Sequence, residues 1–198
     1  MVGKNVAIGV TLPAATRPDL QFWSAEEVRL FLEGVREDRD YALYYLDPTT
    51  SMRRGELLGL KWPRTDMAMG ELKIVDTIVP VNHKPTWSVP KTDAGYRTIP
   101  LDTRTIEVLR DHRRRQLEER LAFGGEYSDL DLVLPDPKGT MFNPEDQSKR
   151  VHRRVSKLGL KQIRFHDLRH TYATLARRSG MDIKDLSVRL ATMTSRRR

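Results

Sequence analysis

The sequence predicts a mainly α fold with a small inserted antiparallel β-sheet, an α+β arrangement. Apolar residues recur at helical spacing before residue 60 and again after residue 102. Between them lie three β-like runs punctuated by a turn signal. No internal repeat or low-complexity segment competes with this reading.

In chain order, residues 1–22 read as extended and are broken by prolines. The first helix is marked by "WSAEEVRLFLEGV", where Ser24 and Glu27 have capping-box spacing and Val28, Phe31, Leu32 and Val35 share one face. A second helix carries Tyr41, Leu43, Tyr44 and Leu46 toward a core and is expected to stop at "DPTT", where Pro48 cannot continue it. A short third helix runs through "RRGELLGLKW". The runs "ELKIVDTIV", "TWSVPKT" and "YRTIPL", the last following a "DAG" turn, supply the sheet. A long charged helix spans about 102–122, with Arg114–Glu118 and Arg115–Glu119 expected as i,i+4 pairs on a solvated face. "LDLVLP" is a brief extended piece, and helices follow near 143–158, 166–178 and 182–190.

With 198 residues and 38% hydrophobic content, the chain suits one medium domain with a real core. No apolar run approaches the roughly 20 residues that span a bilayer, so no membrane partner is expected. The absence of cysteine removes disulfides and thiolate metal sites and fits a cytoplasmic location. The net charge of +8 is unevenly spread. From Lys149 to Arg178 there are ten Lys/Arg against a single acid, Asp167, a surplus larger than that of the whole chain. Lys149, Arg150, Arg153, Arg154, Lys157, Lys161 and Arg164 form the expected polyanion-binding patch, with nucleic acid as the expected partner; a solvated basic face is the bland alternative.

The motif "FHDLRHT" lies within this stretch. At 100° per residue, Leu168, Tyr172 and Leu175 form a core stripe, while His166, Arg169, His170 and Ala173 face the other way. His166 and His170 have the spacing of a zinc pair, but a guanidinium sits between them and no third ligand is apparent, so no metal is expected. An anion suits the group better, because arginine offers a planar fork to phosphate oxygens and histidine can move a proton. A second arginine, Arg53, opens the helix anchored by Leu57, Leu58 and Leu60, with Glu56 one turn on to orient it or Arg54.

Taken together, "TSMRRGELLGLKW", "PKTDAGYRTIPL" and "FHDLRHTYATLARRSG", in that order and spacing, resemble the catalytic domain of the tyrosine recombinase (phage integrase) family over roughly residues 23–190. The resemblance implies the DNA breaking-rejoining enzyme fold and site-specific DNA recombination or phage-type integration through a covalent phosphotyrosine, without cofactor or metal. It also implies roles residue by residue. Arg53, Lys91, His166 and Arg169 are the catalytic set, with Lys91 as general acid for the leaving 5′ oxygen. Glu56 and His170 are supporting, and further recombinase protomers join double-stranded DNA as expected partners. Under it, residues 1–22 are the linker or remnant of an N-terminal DNA-binding domain, 23–190 the catalytic domain and 191–198 a divergent basic tail.

The sequence departs from the family at one decisive point. No tyrosine follows Tyr172, and Ala191-Thr192 stand where the family carries Gly-His. Residues 1–198 therefore read as an incomplete, truncated copy with no nucleophile, and a non-catalytic DNA-binding fragment is the alternative.

Overall fold

The computed structural model describes residues 22–50, 52–89 and 95–164, together with Asp167, Leu168, Thr171, Thr174, Leu175 and Arg178. The order is α1 (Ala25–Gly34), α2 (Tyr41–Thr50), α3 (Arg54–Leu58), a 3-10 turn (Trp62–Arg64), β1 (Thr65–Asp66), β2 (Glu71–Ile74), β3 (Thr77–Val81), β4 (Lys84–Ser88), β5 (Arg97–Pro100), α4 (Thr103–Phe123), a second 3-10 turn (Gly124–Glu126) and α5 (Pro144–Lys157). This is the mainly helical architecture with antiparallel strands that the sequence predicts.

Helix α1 starts as its capping box requires: the Glu27 N–H donates to the Ser24 hydroxyl (3.2 Å) and the Ser24 N–H to the Glu27 carboxylate (2.8 Å). Its inner face delivers Phe31 between Trp23 and Tyr44, with ring centroids 5.1 Å and 5.6 Å apart. Trp23 locks the start of this helix to the far end of the chain. Its backbone N–H donates to the Thr171 hydroxyl (3.1 Å) and its indole N–H to the Lys161 carbonyl (2.9 Å). Asp167, Leu168, Thr171, Thr174, Leu175 and Arg178 are helical, within the expected 166–178 helix, and Leu168 and Thr171 are buried.

Helix α2 does not stop before Pro48; it runs through it to Thr50. Pro48 lies in the last turn, where only one intrahelical bond is lost. The Thr49 and Thr50 hydroxyls donate back to the i−4 carbonyls of Tyr45 and Leu46, each at 2.6 Å, which pins both side chains against the last turn. The expected α4 pairs also differ. Arg39, from the α1–α2 turn, grips both oxygens of Glu119 at 2.8 Å, and Arg114 turns back to Asp111 at 3.2 Å. A half-buried bidentate fork outweighs an exposed i,i+4 contact. Arg113 stays exposed while stacking over Trp62, 4.7 Å from the ring centroid.

The strands divide into a three-stranded sheet, β1-β2-β5, and a hairpin, β3-β4. "ELKIVDTIV" breaks at Val75-Asp76, so its halves join different sheets. In the first sheet Leu72 opposes Ile99 and Ile74 opposes Arg97, which puts the Arg97 side chain on the same inward face as the buried Ile99. The hairpin turns at Asn82-His83, both with positive φ (49° and 61°), as a tight two-residue turn demands. The β4–β5 connection that carries Lys91 crosses from hairpin to sheet, and residues 90–94 lie outside the described residues.

Candidate phosphate-binding site

Helix α3 is only five residues long, so tertiary contacts hold it. Two glycines allow that contact. A Cβ on Gly55 would meet the Thr77 hydroxyl at 2.5 Å and the Ile78 carbonyl at 2.6 Å; one on Gly59 would meet the Asp76 carbonyl at 2.9 Å. The helix lies directly on the backbone of β3, with Leu57 and Leu58 buried. Arg53, at its N-cap, is thereby fixed relative to the strands.

Glu56, one turn on, is buried and organises the site. Its Oε1 accepts from Nη1 of Arg53 (3.0 Å) and Nη1 of Arg97 (3.2 Å); its Oε2 accepts from the Arg53 backbone N–H (2.9 Å) and Nη2 of Arg97 (2.8 Å). Burial alone would raise the Glu56 pKa, but the hydrogen bonds and charge of Arg97, joined by the bonds from Arg53, hold it below the usual value. Two guanidiniums around one carboxylate leave a net positive charge. The Arg53 side chain is 41% exposed while that of Arg97 is 7% exposed, so Arg53 is the one presented to solvent.

Arg54 leaves the other side of the helix start and donates to Ser148 of α5 at 2.6 Å, which joins the Arg53 element to the basic helix. On α5, Val151 and Val155 point inward, and Lys149 and Arg153 lie opposite them. Arg150 and Arg154 occupy one flank, where they meet acids of the α1–α2 turn: Arg150 pairs with Asp40 at 3.0 Å and Arg154 with Asp38. Lys149 contacts Asp146 at 3.2 Å but is well exposed. Arg153, Lys157, Lys161 and Arg164 are exposed. The patch counted from sequence is thus partly neutralised within the fold, and its open cations run along the outer side of α5 and into the segment after it.

Lys91, His166, Arg169 and His170 lie outside the described residues. Arg53 and Glu56 are brought together as their spacing suggests. Arg97 was not anticipated. The available signal was the two-residue period of "RTIP", which sends Arg97 inward if Ile99 is inward. Among the described residues no cluster of three or more His, Cys, Asp or Glu could hold a metal ion. No helix among them is long and apolar enough to cross a membrane.

Tyr44 is buried, and burial together with the charges of Asp40 and Asp38 pushes its phenol up to about 12, against the opposing pull of Arg154. Tyr45 is shifted up as well, mainly by burial. Neither is prepared to act as a phenolate nucleophile.

A helical domain with an inserted antiparallel sheet carries an arginine on a buried carboxylate beside a basic helix, an arrangement suited to holding an anion. Residues 22–191 match the phage integrase family model, and the chain belongs to that family. It is 31% identical to a "Tyrosine recombinase XerC-like" protein of Caldanaerobacter subterraneus subsp. tengcongensis over 93% of this chain and 50% of that protein. The crystal structure of XerA recombinase superposes with a TM-score of 0.70 at 22% identity, covering 93% of this chain and 58% of that one. The Tn1549 transposon integrase, solved in complex with transposon right end DNA, gives 0.76 at 18% identity, covering 92% of this chain and 61% of that one. These structural neighbours have the tyrosine recombinase catalytic-domain fold. The chain spans about half the length of the relatives it matches.

Proposed function

We propose that this chain is the catalytic-domain portion of a tyrosine recombinase of site-specific DNA recombination, of phage or prophage integrase type, acting on duplex DNA in the cytoplasm together with other protomers. The observation that carries the reading is Arg53 at the head of α3, held by buried Glu56 and joined through Arg54 to the basic helix α5. Phosphoryl transfer concentrates charge on the non-bridging oxygens, and fixed guanidiniums stabilise it. In this reading Arg53 and Arg169 hold the scissile phosphate, His166 assists, and Lys91 delivers a proton to the leaving 5′ oxygen. Arg153, Lys157, Lys161 and Arg164 grip flanking phosphates, Lys149 less so, and Arg150 and Arg154 serve mainly the fold.

The six tyrosines stand at 41, 44, 45, 96, 127 and 172, and none has the family nucleophile's place beyond the H-x-x-R helix. Residues 1–198 are therefore expected to bind DNA without forming the phosphotyrosine bond, so the reading of a non-catalytic DNA-binding fragment stays beside the first. Incubation of the 198-residue chain with nicked suicide duplexes tests this. Salt-dependent binding with no covalent adduct is the expected result, and a trapped 3′-phosphotyrosyl adduct overturns the claim of a missing nucleophile. Salt-dependent binding left unchanged by Arg53→Ala with Arg169→Ala overturns the phosphate site itself.

A further inference from the structure

We propose that Arg97 is a positioning residue that fixes the direction of Arg53 through Glu56 and ties the end of the Lys91 connection to the same point. The inference rests on the reading of Arg53 as a phosphate ligand and names what sets its geometry.

Three observations carry it. First, Arg97 reaches Glu56 from β5, a different element from the helix that bears both Arg53 and Glu56, and binds both carboxylate oxygens. Within its own short helix Glu56 is held by burial and by the Arg53 backbone N–H; the fork adds a bidentate anchor from a separate strand. With it, the carboxylate plane is fixed by the strand, and the Arg53 guanidinium inherits that orientation. Second, Nη1 of Arg97 also lies 3.4 Å from the carbonyl of Gly95, the residue that closes the 90–94 connection. One side chain thus spans the helix of Arg53 and Gly95, the first described residue after the 90–94 connection. Third, Nε of Arg97 is buried with no hydrogen-bond partner among the described residues, so the arrangement is not the one that would maximise stability. A buried ion pair is in any case weak support for a fold, and well-packed apolar residues often replace one without loss.

The test uses the 198-residue chain and a fluorescent mixed-sequence duplex, reading the slope of log Kd against log salt. Each phosphate contact contributes about 0.9 to that slope. Arg53→Ala is expected to lower the slope by about one contact. The double variant Arg97→Met with Glu56→Leu removes the pair without stranding a buried charge. It is expected to melt near the wild-type temperature yet show the slope of Arg53→Ala, and adding Arg53→Ala to it is expected to change nothing further. A wild-type slope in the double variant shows that the pair serves only the fold and sinks the proposal. Should the double variant not fold, Arg97→Lys decides: it keeps the charge and loses the fork, and a wild-type slope there overturns the proposal equally. If Arg53→Ala itself leaves the slope untouched, the underlying phosphate site fails instead, which is a separate outcome.

Discussion

Asp40 accepts from Arg150 of α5 at 3.0 Å and from its neighbour Arg39 at 3.1 Å, and is itself almost fully buried. This pair bridges 110 positions of sequence and converts part of a basic helix into a structural clamp. Arg153 and Arg150 are only three apart on α5, yet Arg150 meets buried Asp40 while Arg153 is exposed. Arg150→Ala is expected to cost about 1–3 kcal/mol of stability, the range for a hydrogen bond to a charged group left unmade, while barely altering the salt slope of DNA binding. Arg153→Ala is expected to do the reverse, with unchanged melting and a slope smaller by about 0.9. Urea unfolding and fluorescence anisotropy on both variants check the assignment, and a slope loss confined to Arg150→Ala would refute it.

His112 gives the fold a pH dependence of defined sign. It is buried in α4, and its Nε2 lies 2.6 Å from the Val133 carbonyl, so the neutral ring carries its proton on that nitrogen. Burial lowers its pKa, and the Val133 hydrogen bond opposes this without cancelling it. A depressed histidine means the unfolded chain takes up the proton first as pH falls. The stabilisation is complete above the unfolded value of about 6.5 and is lost as pH descends toward the folded one. Urea melts across this window are expected to show falling stability in the wild type and a shallower decline in His112→Gln. Equal declines would remove His112 as the cause.

Trp23 shows how the end of the described chain is held. Its indole N–H and backbone N–H reach Lys161 and Thr171, on either side of the segment that leads into the H-x-x-R helix. Trp23→Ala is expected to cost about 3–5 kcal/mol through the cavity alone. Trp23→Phe keeps most of the volume and loses one donor, so about 1 kcal/mol is expected. Hydrogen exchange should report the second variant as faster opening around Thr171 with little change in the β1-β2-β5 sheet. Uniformly faster exchange would mean that Trp23 acts on the whole core.

The helices were legible because their signals are local. The Ser24–Glu27 box and the inward face of α1 need only a few neighbouring residues. What sequence reasoning missed depends on distant partners. The end of α2 differs because Pro48 falls in the last turn of a helix whose inner face is packed in the core, so one missing bond does not end it. The α4 pairs were misassigned because Glu119 has a better partner in Arg39, 80 positions away. Arg53 and Glu56 share a helix turn and could be paired by spacing, whereas Arg97 joins them only once β5 is registered against β2. The basic patch was counted correctly as charge, but its neutralisation by Asp38 and Asp40 is a property of packing.

Gly55 and Gly59 provide the sharpest link between packing and the site. Gly55 in α3 and Gly59 at its C-cap both face the start of β3, where the nearest atoms are backbone or a short hydroxyl with little room to yield. At Gly55 the obstruction includes the Ile78 carbonyl, which is fixed by the hairpin, so an added methyl has to push the helix away from the strand. Overpacking of this kind typically costs about 1–3 kcal/mol. It would also move the Arg53 N-cap relative to β5 and stretch the Arg97–Glu56 fork. Gly55→Ala is therefore expected to lower stability and the DNA salt slope together, despite alanine's higher helix propensity, which on its own favours the substitution by about 1 kcal/mol. Gly125→Ala is the control, since nothing lies within 4 Å of a Cβ there, and it should leave both quantities near wild type. Thermal melts combined with anisotropy on the two variants decide the matter, and a Gly55→Ala protein as stable as wild type would show that α3 is not seated on β3 as described.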